Sequence, residues 1–290
     1  AEVASRMRDL PVTQSAAGGF RYEVPLLPVG PAAVSTEGVS GSFLPDTWLK
    51  SPYAPLSSRR DFTAVWTGAE IMIWGGFTGT QYLDDGALYS PALDVWRPVS
   101  TLGKPFARAG HTAVWTGTEV LFWGGHTCPT VGCGTVDYFD GGGIYNPATD
   151  QRSALPTGGT VPTARTGHVA VWTGSSLLVF GGEGYAAAPD GAIKSTGGVF
   201  SAATGTWAAL PALNAPSARR LHSGVWTGNR WIIWGGNDGA GQLSDGASYD
   251  PASGLWTPIG SGGAAPSPRQ SHTAVWSGDE MFVWGGFGAV

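Results

Sequence analysis

The sequence is poor in charged residues, and lysine is the scarcest of them. Asp, Glu, Lys and Arg make up 13% of the 290 residues, lysine occurs three times, and the formal net charge is −5. Nucleic acids and anionic membrane surfaces attract clusters of basic side chains. Because the sequence contains no basic run, we expect a partner that is neither a nucleic acid nor an anionic membrane.

Long hydrophobic runs and the familiar catalytic motifs are also missing. A membrane-spanning helix needs about 20 consecutive apolar residues, and no segment approaches that length, so we expect no membrane insertion. The sequence has no Gly-x-Ser-x-Gly, no His-Glu-x-x-His and no glycine-rich phosphate loop. These absences favour a protein that is not an enzyme, and leave open an enzyme whose site is assembled from dispersed residues.

Cysteine is limited to Cys128 and Cys133, which lie close together in a segment that resembles a loop. In an oxidising compartment such a pair forms a disulfide. The alternative is a metal site, since His126-x-Cys-x4-Cys followed by Asp137 offers ligands of suitable type. The scarcity of lysine and the 14 tryptophans suggest a secreted or periplasmic protein, which favours the disulfide.

A repeat dominates what is present. A Trp-Thr/Ser-Gly step recurs at spacings of 49, 57, 54 and 50 residues, at Trp66, Trp115, Trp172, Trp226 and Trp276. Each copy reads as an apolar strand, a glycine turn, and a second strand closed by Gly-Gly. A loop of variable length and a third strand with an aromatic residue follow, then a fourth strand that contains tryptophan in most copies. Thr-Gly between two such strands predicts a hairpin, and a period near 50 residues is typical of propeller blades.

This order of features resembles the kelch repeat over about residues 38–290, in particular kelch proteins of a bacterial, extracytoplasmic type. The resemblance implies an all-β, five-bladed propeller of four-stranded antiparallel blades around a channel. The last copy supplies only two inner strands, and Phe43 and Trp48 match the aromatic and tryptophan positions of the missing outer strands. We therefore expect the N-terminal outer strands to pair with the C-terminal inner strands and close the ring. The predicted full blades are about 59–104, 108–161, 165–215 and 219–265, the composite blade is 38–52 with 269–290, and residues 1–37 are an extension packed on or near the propeller.

An arginine precedes the first strand of every copy, and in four copies a histidine follows it three residues later. In the first copy Arg59 is present, but Phe62 replaces the histidine. Because the pair recurs in nearly every blade, we interpret it as scaffold, with arginine donating to loop carbonyls between blades and histidine bridging neighbouring backbones. The alternative is a transition metal held by the four histidines. The four pairs are Arg108/His111, Arg165/His168, Arg219/His222 and Arg269/His272.

The loops between second and third strands break the repeat, and loops on a rigid scaffold commonly carry function. Asp85, Asp140 and Asp245 share one repeat position before the third strand, so we interpret them as turn residues. The irregular acids, the aromatic residues and the extra arginines of this face are the candidate ligand-binding residues: Arg60, Tyr82, Asp84, His126, Asp137, Tyr138, Glu183, Tyr185, Arg220 and Asp238.

These observations favour a recognition module that binds a protein or a carbohydrate through the variable loop face and needs no cofactor. One alternative is an enzyme at the channel mouth that uses a transition metal, calcium or a pair of carboxylates, whose separation a sequence does not give. Another is a structural domain of a larger secreted protein. The oligomeric state stays open.

Overall fold

A computed structural model describes residues 54–128, 135–260 and 265–288, and every regular element within them is a β-strand. No helix in these three ranges is long and apolar enough to cross a membrane. The predicted extension at 1–37, the predicted outer strands at 38–52 and Cys133 lie outside the described residues.

The first two blades are four-stranded antiparallel sheets. Blade 1 consists of β1 (Thr63–Trp66), β2 (Ile71–Trp74), β3 (Gly86–Ser90) and β4 (Val95–Pro98). Blade 2 consists of β5 (Thr112–Trp115), β6 (Val120–Trp123), β9 (Gly142–Asn146) and β10 (Gln151–Ala154), and its long loop carries a small hairpin of β7 (His126–Thr127) and β8 (Asp137–Tyr138).

Blades 3 and 4 repeat this arrangement. Blade 3 consists of β12 (Val169–Trp172), β13 (Ser176–Phe180), β14 (Gly197–Ser201) and β15 (Thr206–Ala209), with β11 (Gly158–Gly159) added in parallel to β15. Blade 4 consists of β16 (Ser223–Trp226), β17 (Trp231–Trp234), β18 (Gly246–Asp250) and β19 (Leu255–Ile259). The described part of blade 5 has two inner strands, β21 (Thr273–Trp276) and β22 (Met281–Trp284), and the short pair β20 (Arg269–Gln270) and β23 (Phe287–Gly288).

The Trp-Thr/Ser-Gly step forms the turn between the first two strands of each blade. In blade 1 the Glu70 N–H donates to Thr67 Oγ1 at 3.0 Å, and Gly68 has a φ of 92°. A hydroxyl is needed to accept this bond, and glycine tolerates the positive φ. The same bond recurs in the other four copies: Glu119 to Thr116, Ser176 to Thr173, Arg230 to Thr227 and Glu280 to Ser277.

The hydrophobic core lies between blades. Each buried cluster combines residues of two neighbouring sheets, so that Trp74 of blade 1 packs with Phe122 of blade 2, and Trp234 of blade 4 packs with Val283 of blade 5. The inner strands contact one another in the order β1, β5, β12, β16 and β21. This side-by-side packing arranges the sheets as successive propeller blades.

A backbone hydrogen bond recurs at four interfaces between successive blades. The second glycine of each Gly-Gly donates to the carbonyl of the next blade's repeated arginine: Gly76 to Arg108, Gly125 to Arg165, Gly182 to Arg219 and Gly236 to Arg269. Within the described residues, no such bond runs from Gly286 to Arg59. On the sides of blade 1 and blade 5 that would meet in a closed ring, Trp66 is 53% exposed and Val275 is 50% exposed. The four-stranded antiparallel blades are confirmed, whereas closure into a five-bladed ring stays a prediction.

Candidate functional site

The repeated arginines fix the loops of their own blades. Arg108 Nη1 donates to the carbonyls of Gly124 at 2.8 Å and Gly141 at 3.0 Å. Arg108 Nε also donates to the carbonyl of Phe106 at 3.1 Å, in the loop that connects blade 1 to blade 2. The repeated arginines therefore bond carbonyls of the connecting loop, as predicted, and in addition the Gly-Gly of their own hairpin. The equivalent bonds run from Arg59 to Gly75, Arg165 to Gly181, Arg219 to Gly235 and Arg269 to Gly285.

Asp140 does not occupy the repeat position assigned to it. Trp74 pairs with Gly86 and Trp123 pairs with Gly142. The residue in blade 2 that corresponds to Asp85 is therefore Gly141. Since Arg108 needs only the Gly141 carbonyl, this position does not require a carboxylate.

The repeated histidines join each blade to the one before it. His111 Nε2 lies 2.8 Å from Thr63 Oγ1, and the His111 ring packs edge-on against Trp74 at a centroid distance of 5.0 Å. His168 contacts Thr112 in the same way, and His272 contacts Ser223. His222 faces blade 3, where Val169 replaces the hydroxyl residue, and packs edge-on against Phe180 at 6.2 Å.

Burial keeps these histidines neutral. Burial lowers the pKa of His168 to about 3 and that of His272 to about 4, and lowers the pKa of His111 and His222 well below the ordinary value. In the part of the chain that the structure describes, no three His, Cys, Asp or Glu residues are grouped so as to hold a metal. The contacts of the four histidines are those of scaffold residues.

The first residue after each Gly-Gly forms a backbone bridge with the residue after the repeated arginine. The bridged pairs are Phe77 with Arg60, His126 with Ala109, Glu183 with Thr166, Asn237 with Arg220 and Phe287 with Gln270. The backbone position is the same in each blade, but the side chains differ in charge, size and aromaticity. The scaffold therefore fixes the position and leaves the chemistry free to vary, as a recognition surface requires.

Five rings from blades 1, 2 and 3 form a continuous row on this face. We call Phe77, Tyr82, His126, Tyr138 and Tyr185 the aromatic strip. Successive ring centroids are 4.7, 5.5, 6.4 and 5.1 Å apart in that order. The first four rings are partly buried, and Tyr185 is 44% exposed. A row of partly exposed rings offers a large apolar contact area with little side-chain entropy to lose.

Polar contacts hold the strip in place. His126 Nδ1 lies 3.1 Å from Thr166 Oγ1, and the Tyr138 N–H donates to the Tyr185 hydroxyl at 3.1 Å. Burial lowers the pKa of His126. Burial also raises the pKa of Tyr82 and of Tyr138, so both phenols keep their protons at neutral pH and can donate hydrogen bonds to a ligand.

Charged groups flank both ends of the strip. At the Phe77 end, the Arg60 guanidinium lies 5.3 Å from the Phe77 ring centroid and 3.7 Å from the Asp61 carboxylate, and the Arg60 side chain is 71% exposed. At the other end, Arg220 forms an ion pair with Glu183. Each end of the strip therefore carries an arginine in an ion pair, and the pair of Arg60 and Asp61 is the longer and more exposed of the two.

Seven of the predicted ligand-binding residues thus contribute to one surface, and three do not. Asp84 forms an ion pair with Lys104 at 2.8 Å. Asp137 lines a shallow, open groove beside Phe106 and Phe139. Asp238 accepts the N–H groups of Ala240 and Gly241, both at 2.8 Å, within its own turn.

Sequence analysis missed Phe77 and Thr166. Phe77 directly follows Gly-Gly, at a position where the five blades carry four different residue types. That variation at a regular repeat position was the available signal. Thr166 follows the repeated Arg165 and gave no separate signal, because its role as the His126 partner depends on contact between two blades.

Comparison with known proteins agrees with this architecture. The family model of the KLHDC2/KLHL20/DRC7 Kelch-repeats domain matches residues 46–184 and residues 110–289. A search of curated proteins finds no match. The two family matches together span the four complete blades and the inner strands of the fifth, and so most of the chain. The chain therefore belongs to the Kelch-repeat family.

Proposed function

We propose that this protein is a non-catalytic recognition module that binds a protein partner through the aromatic strip. The observation that carries the proposal is the convergence of five rings from three successive blades at positions where the repeat varies. Kelch-repeat domains generally mediate contacts between proteins. Tyrosine and arginine are enriched among the residues that dominate binding energy at protein interfaces, and both are present here.

The carboxylates of this face support recognition better than acid–base chemistry. Arg220 neutralises Glu183, and Lys104 neutralises Asp84. A general acid and base need two carboxyl groups that act on one substrate, whereas these two are each held by a different cation. We therefore prefer protein binding to the enzyme hypothesis.

Selection from a displayed peptide library tests the proposal. The affinity of each peptide that is enriched on the full chain is then measured by fluorescence anisotropy. The proteins compared are the wild type and the variants Tyr82→Ala, Tyr138→Ala and Arg220→Ala. We expect each of these three variants to bind at least tenfold more weakly than the wild type, which corresponds to about 1.4 kcal/mol. Val95→Ala is the control, because Val95 is 50% exposed on the outer strand β4, and its affinity should equal that of the wild type.

Two results would contradict the proposal. One is that no peptide is enriched over an unrelated immobilised protein. The other is that the strip variants bind the selected peptides as tightly as the wild type does. A glycan array probed with the same variants distinguishes a carbohydrate ligand from a protein ligand. If a glycan binds through the strip and no peptide does, the protein is a carbohydrate-binding module and the proposal of a protein partner fails.

We further propose that residues 38–52 complete blade 5 as its outer strands. The exposed Trp66 and Val275 faces support this, because apolar faces of propeller blades normally pack against a neighbouring blade. Hydrogen exchange measured by mass spectrometry should show residues 38–52 as protected as β3 and β4. Exchange of this segment within seconds would refute the closure.

We also propose that the protein is secreted or periplasmic and that Cys128 and Cys133 form a disulfide. The scarcity of lysine, with three in 290 residues, supports the secreted or periplasmic location. The separation of the two cysteines by only four residues supports the disulfide. A disulfide would shorten the free part of the blade 2 loop beside the strip and reduce the entropy lost when a partner binds.

A further inference from the structure

We propose that the aromatic strip has an internal ligand, the segment VPLLPVGP at residues 24–31 of the same chain, which a partner must displace. This inference rests on the strip being the binding surface assigned above. It adds a competitor for that surface, and therefore a means by which the protein controls its own availability.

The chemistry of the strip suits an extended proline-rich segment. Such segments adopt the polyproline II conformation, which has no internal hydrogen bonds, and they dock on aromatic grooves because ring faces pack against pyrrolidine rings. The strip supplies a row of rings with centroids 4.7 to 6.4 Å apart. The strip also supplies hydrogen-bond donors, because the rings of Tyr82 and Tyr138 carry hydroxyl groups. These hydroxyls can donate to the backbone carbonyls that polyproline II leaves unpaired.

Residues 24–31 have the corresponding sequence pattern. Pro25, Pro28 and Pro31 are spaced three residues apart, and this stretch carries no charged side chain. Polyproline II has three residues per turn and a rise of about 3.1 Å per residue, so these prolines would recur on one edge roughly every 9 Å. The segment therefore offers one apolar edge to one apolar row.

Charge complementarity gives the segment an orientation. Glu23 directly precedes the segment. Arg60, at the Phe77 end of the strip, is 71% exposed, and its pair with Asp61 is long, at 3.7 Å, so Arg60 can accept a second carboxylate. Glu23 would lie near Arg60, and the prolines would extend from there towards Tyr185. The opposite orientation would place Glu23 beside the ion pair of Glu183 and Arg220, where the cation already has a partner of its own.

The chain can reach the strip. The described part begins at Ala54, and six residues later Arg60 forms its backbone bridge with Phe77, the first ring of the strip. With residues 38–52 forming the outer strands of blade 5, the tether is the seven residues from Pro31 to Gly38, which span up to about 23 Å when extended. In each complete blade the third strand begins beside Gly-Gly on the face of the strip, as where Gly86 pairs with Trp74. The tether would therefore start on this face, which raises the effective concentration of the segment there.

A labelled peptide of residues 21–34, RYEVPLLPVGPAAV, tests the inference in trans on the full chain. The wild type and the variant Pro25→Ser/Pro28→Ser/Pro31→Ser are compared by fluorescence anisotropy. We expect the variant to bind the peptide at least tenfold more tightly, because its own segment no longer competes. The control Pro11→Ser leaves the three-residue spacing intact and should bind as weakly as the wild type.

Two further measurements place the peptide on the strip. Adding Tyr138→Ala to the triple variant should abolish binding of the peptide, with the circular dichroism spectrum and melting temperature showing that the variant is folded. Arg60→Glu in the triple variant should weaken binding at least fivefold, and a peptide carrying Glu23→Arg should restore it. The charge reversal does not depend on the fold tolerating the loss of a tyrosine.

The outcomes distinguish this inference from the proposed function. If library-selected peptides bind through the strip but the wild type and the triple variant bind the 21–34 peptide equally, the internal ligand is refuted and the recognition surface remains. If the 21–34 peptide binds but Tyr138→Ala and Arg60→Glu leave its affinity unchanged, the internal ligand is also refuted. If neither kind of peptide binds, both proposals fail.

Discussion

His168 Nε2 of blade 3 lies 2.9 Å from Thr112 Oγ1 of blade 2. The same ring packs edge-on against Trp123, with the centroids 5.0 Å apart. One buried neutral imidazole therefore contributes both a hydrogen bond and an aromatic contact to a blade interface. Equivalent contacts at His111 and His272 show that this is a general way of joining blades in this chain.

Acid should weaken the folded protein through these histidines. Burial lowers the pKa of His168 to about 3 and that of His272 to about 4, whereas an unfolded histidine titrates near 6.5. Between these values the unfolded chain binds protons that the folded chain excludes, so the free energy of unfolding falls as the pH decreases from about 6.5 towards 3. Urea unfolding at pH 7, 6, 5 and 4 measures this slope.

The variant His168→Phe isolates one histidine, since Phe62 occupies the equivalent position in blade 1. The variant should lose less stability than the wild type between pH 6.5 and 4, because it has no imidazole to protonate after unfolding. Identical pH slopes for the two proteins would show that His168 is not held neutral by burial.

Substitution of Gly124 by alanine should be far more damaging than substitution of Gly174. Both glycines have positive φ values, 71° and 99°. A Cβ at Gly124 would lie 2.6 Å from His168 Cε1 and 3.0 Å from the Arg165 carbonyl oxygen, whereas a Cβ at Gly174 would meet nothing within 4 Å. Gly174→Ala should cost about 1 kcal/mol of backbone strain, and Gly124→Ala about 2–5 kcal/mol. Urea unfolding compares them, and equal losses would contradict the blade 2–blade 3 packing.

Asp190 should be essential to the stability of blade 3. Its carboxylate accepts hydrogen bonds from Lys194 at 2.8 Å and Arg165 at 3.2 Å, and both cationic side chains are fully buried. Asp190→Asn leaves two buried cations without their counter-ion and should cost about 3 kcal/mol. Asp84→Asn is the matched control, because its partner Lys104 is partly exposed, and should cost less than about 1 kcal/mol. Similar losses in thermal or urea unfolding would refute the role of Asp190.

Asp190 should also retain its charge in moderate acid. Although burial acts to raise its pKa, hydrogen bonds from Lys194, Thr196 and Thr163 and the charge of Arg165 lower the pKa to about 2. A carboxylate with a depressed pKa stabilises the fold fully above the unfolded value near 3.9, and this contribution is lost as the pH falls through about 2. The stability difference between the wild type and Asp190→Asn should therefore stay constant from pH 7 to 5 and shrink below pH 4. A difference that shrinks above pH 5 would contradict this assignment.

The proposed disulfide can be checked by intact mass. Protein isolated from an oxidising compartment should be 2 Da lighter before reduction than after it, with no thiol titratable by a chromogenic reagent. Two titratable thiols in the folded protein would instead favour the metal hypothesis for Cys128 and Cys133.

The parts of the fold that depend on local sequence were predictable. The Thr/Ser-Gly turn is set by a hydroxyl and a positive φ within four residues, as at Thr67 and Gly68. Because this strand–turn–strand unit recurs along the sequence, the number and order of the strands in each sheet could be predicted. The position of Asp140 was predicted wrongly because loop length shifted the apparent register by one residue, and only the pairing of Trp123 with Gly142 resolves it.

The site was only partly predictable, because contact between blades cannot be deduced from spacing along the chain. Tyr82, Tyr138 and Tyr185 could be selected as irregular loop residues, but not as members of one row with Phe77. Asp190 illustrates the same limit. Thr196 in blade 3 corresponds to Asp85 and Asp245, and a carboxylate six residues earlier in the loop reaches back to fill that role.

A crystal structure of the full chain with a library-selected peptide tests the central claim most directly. The account predicts that the peptide lies across blades 1 to 3 in contact with Tyr82, His126 and Tyr138. The side of the peptide that faces solvent should point away from the backbone bridges that follow each Gly-Gly. A peptide bound instead along the outer strands β4, β10 or β15, with the aromatic strip uncovered, would contradict it.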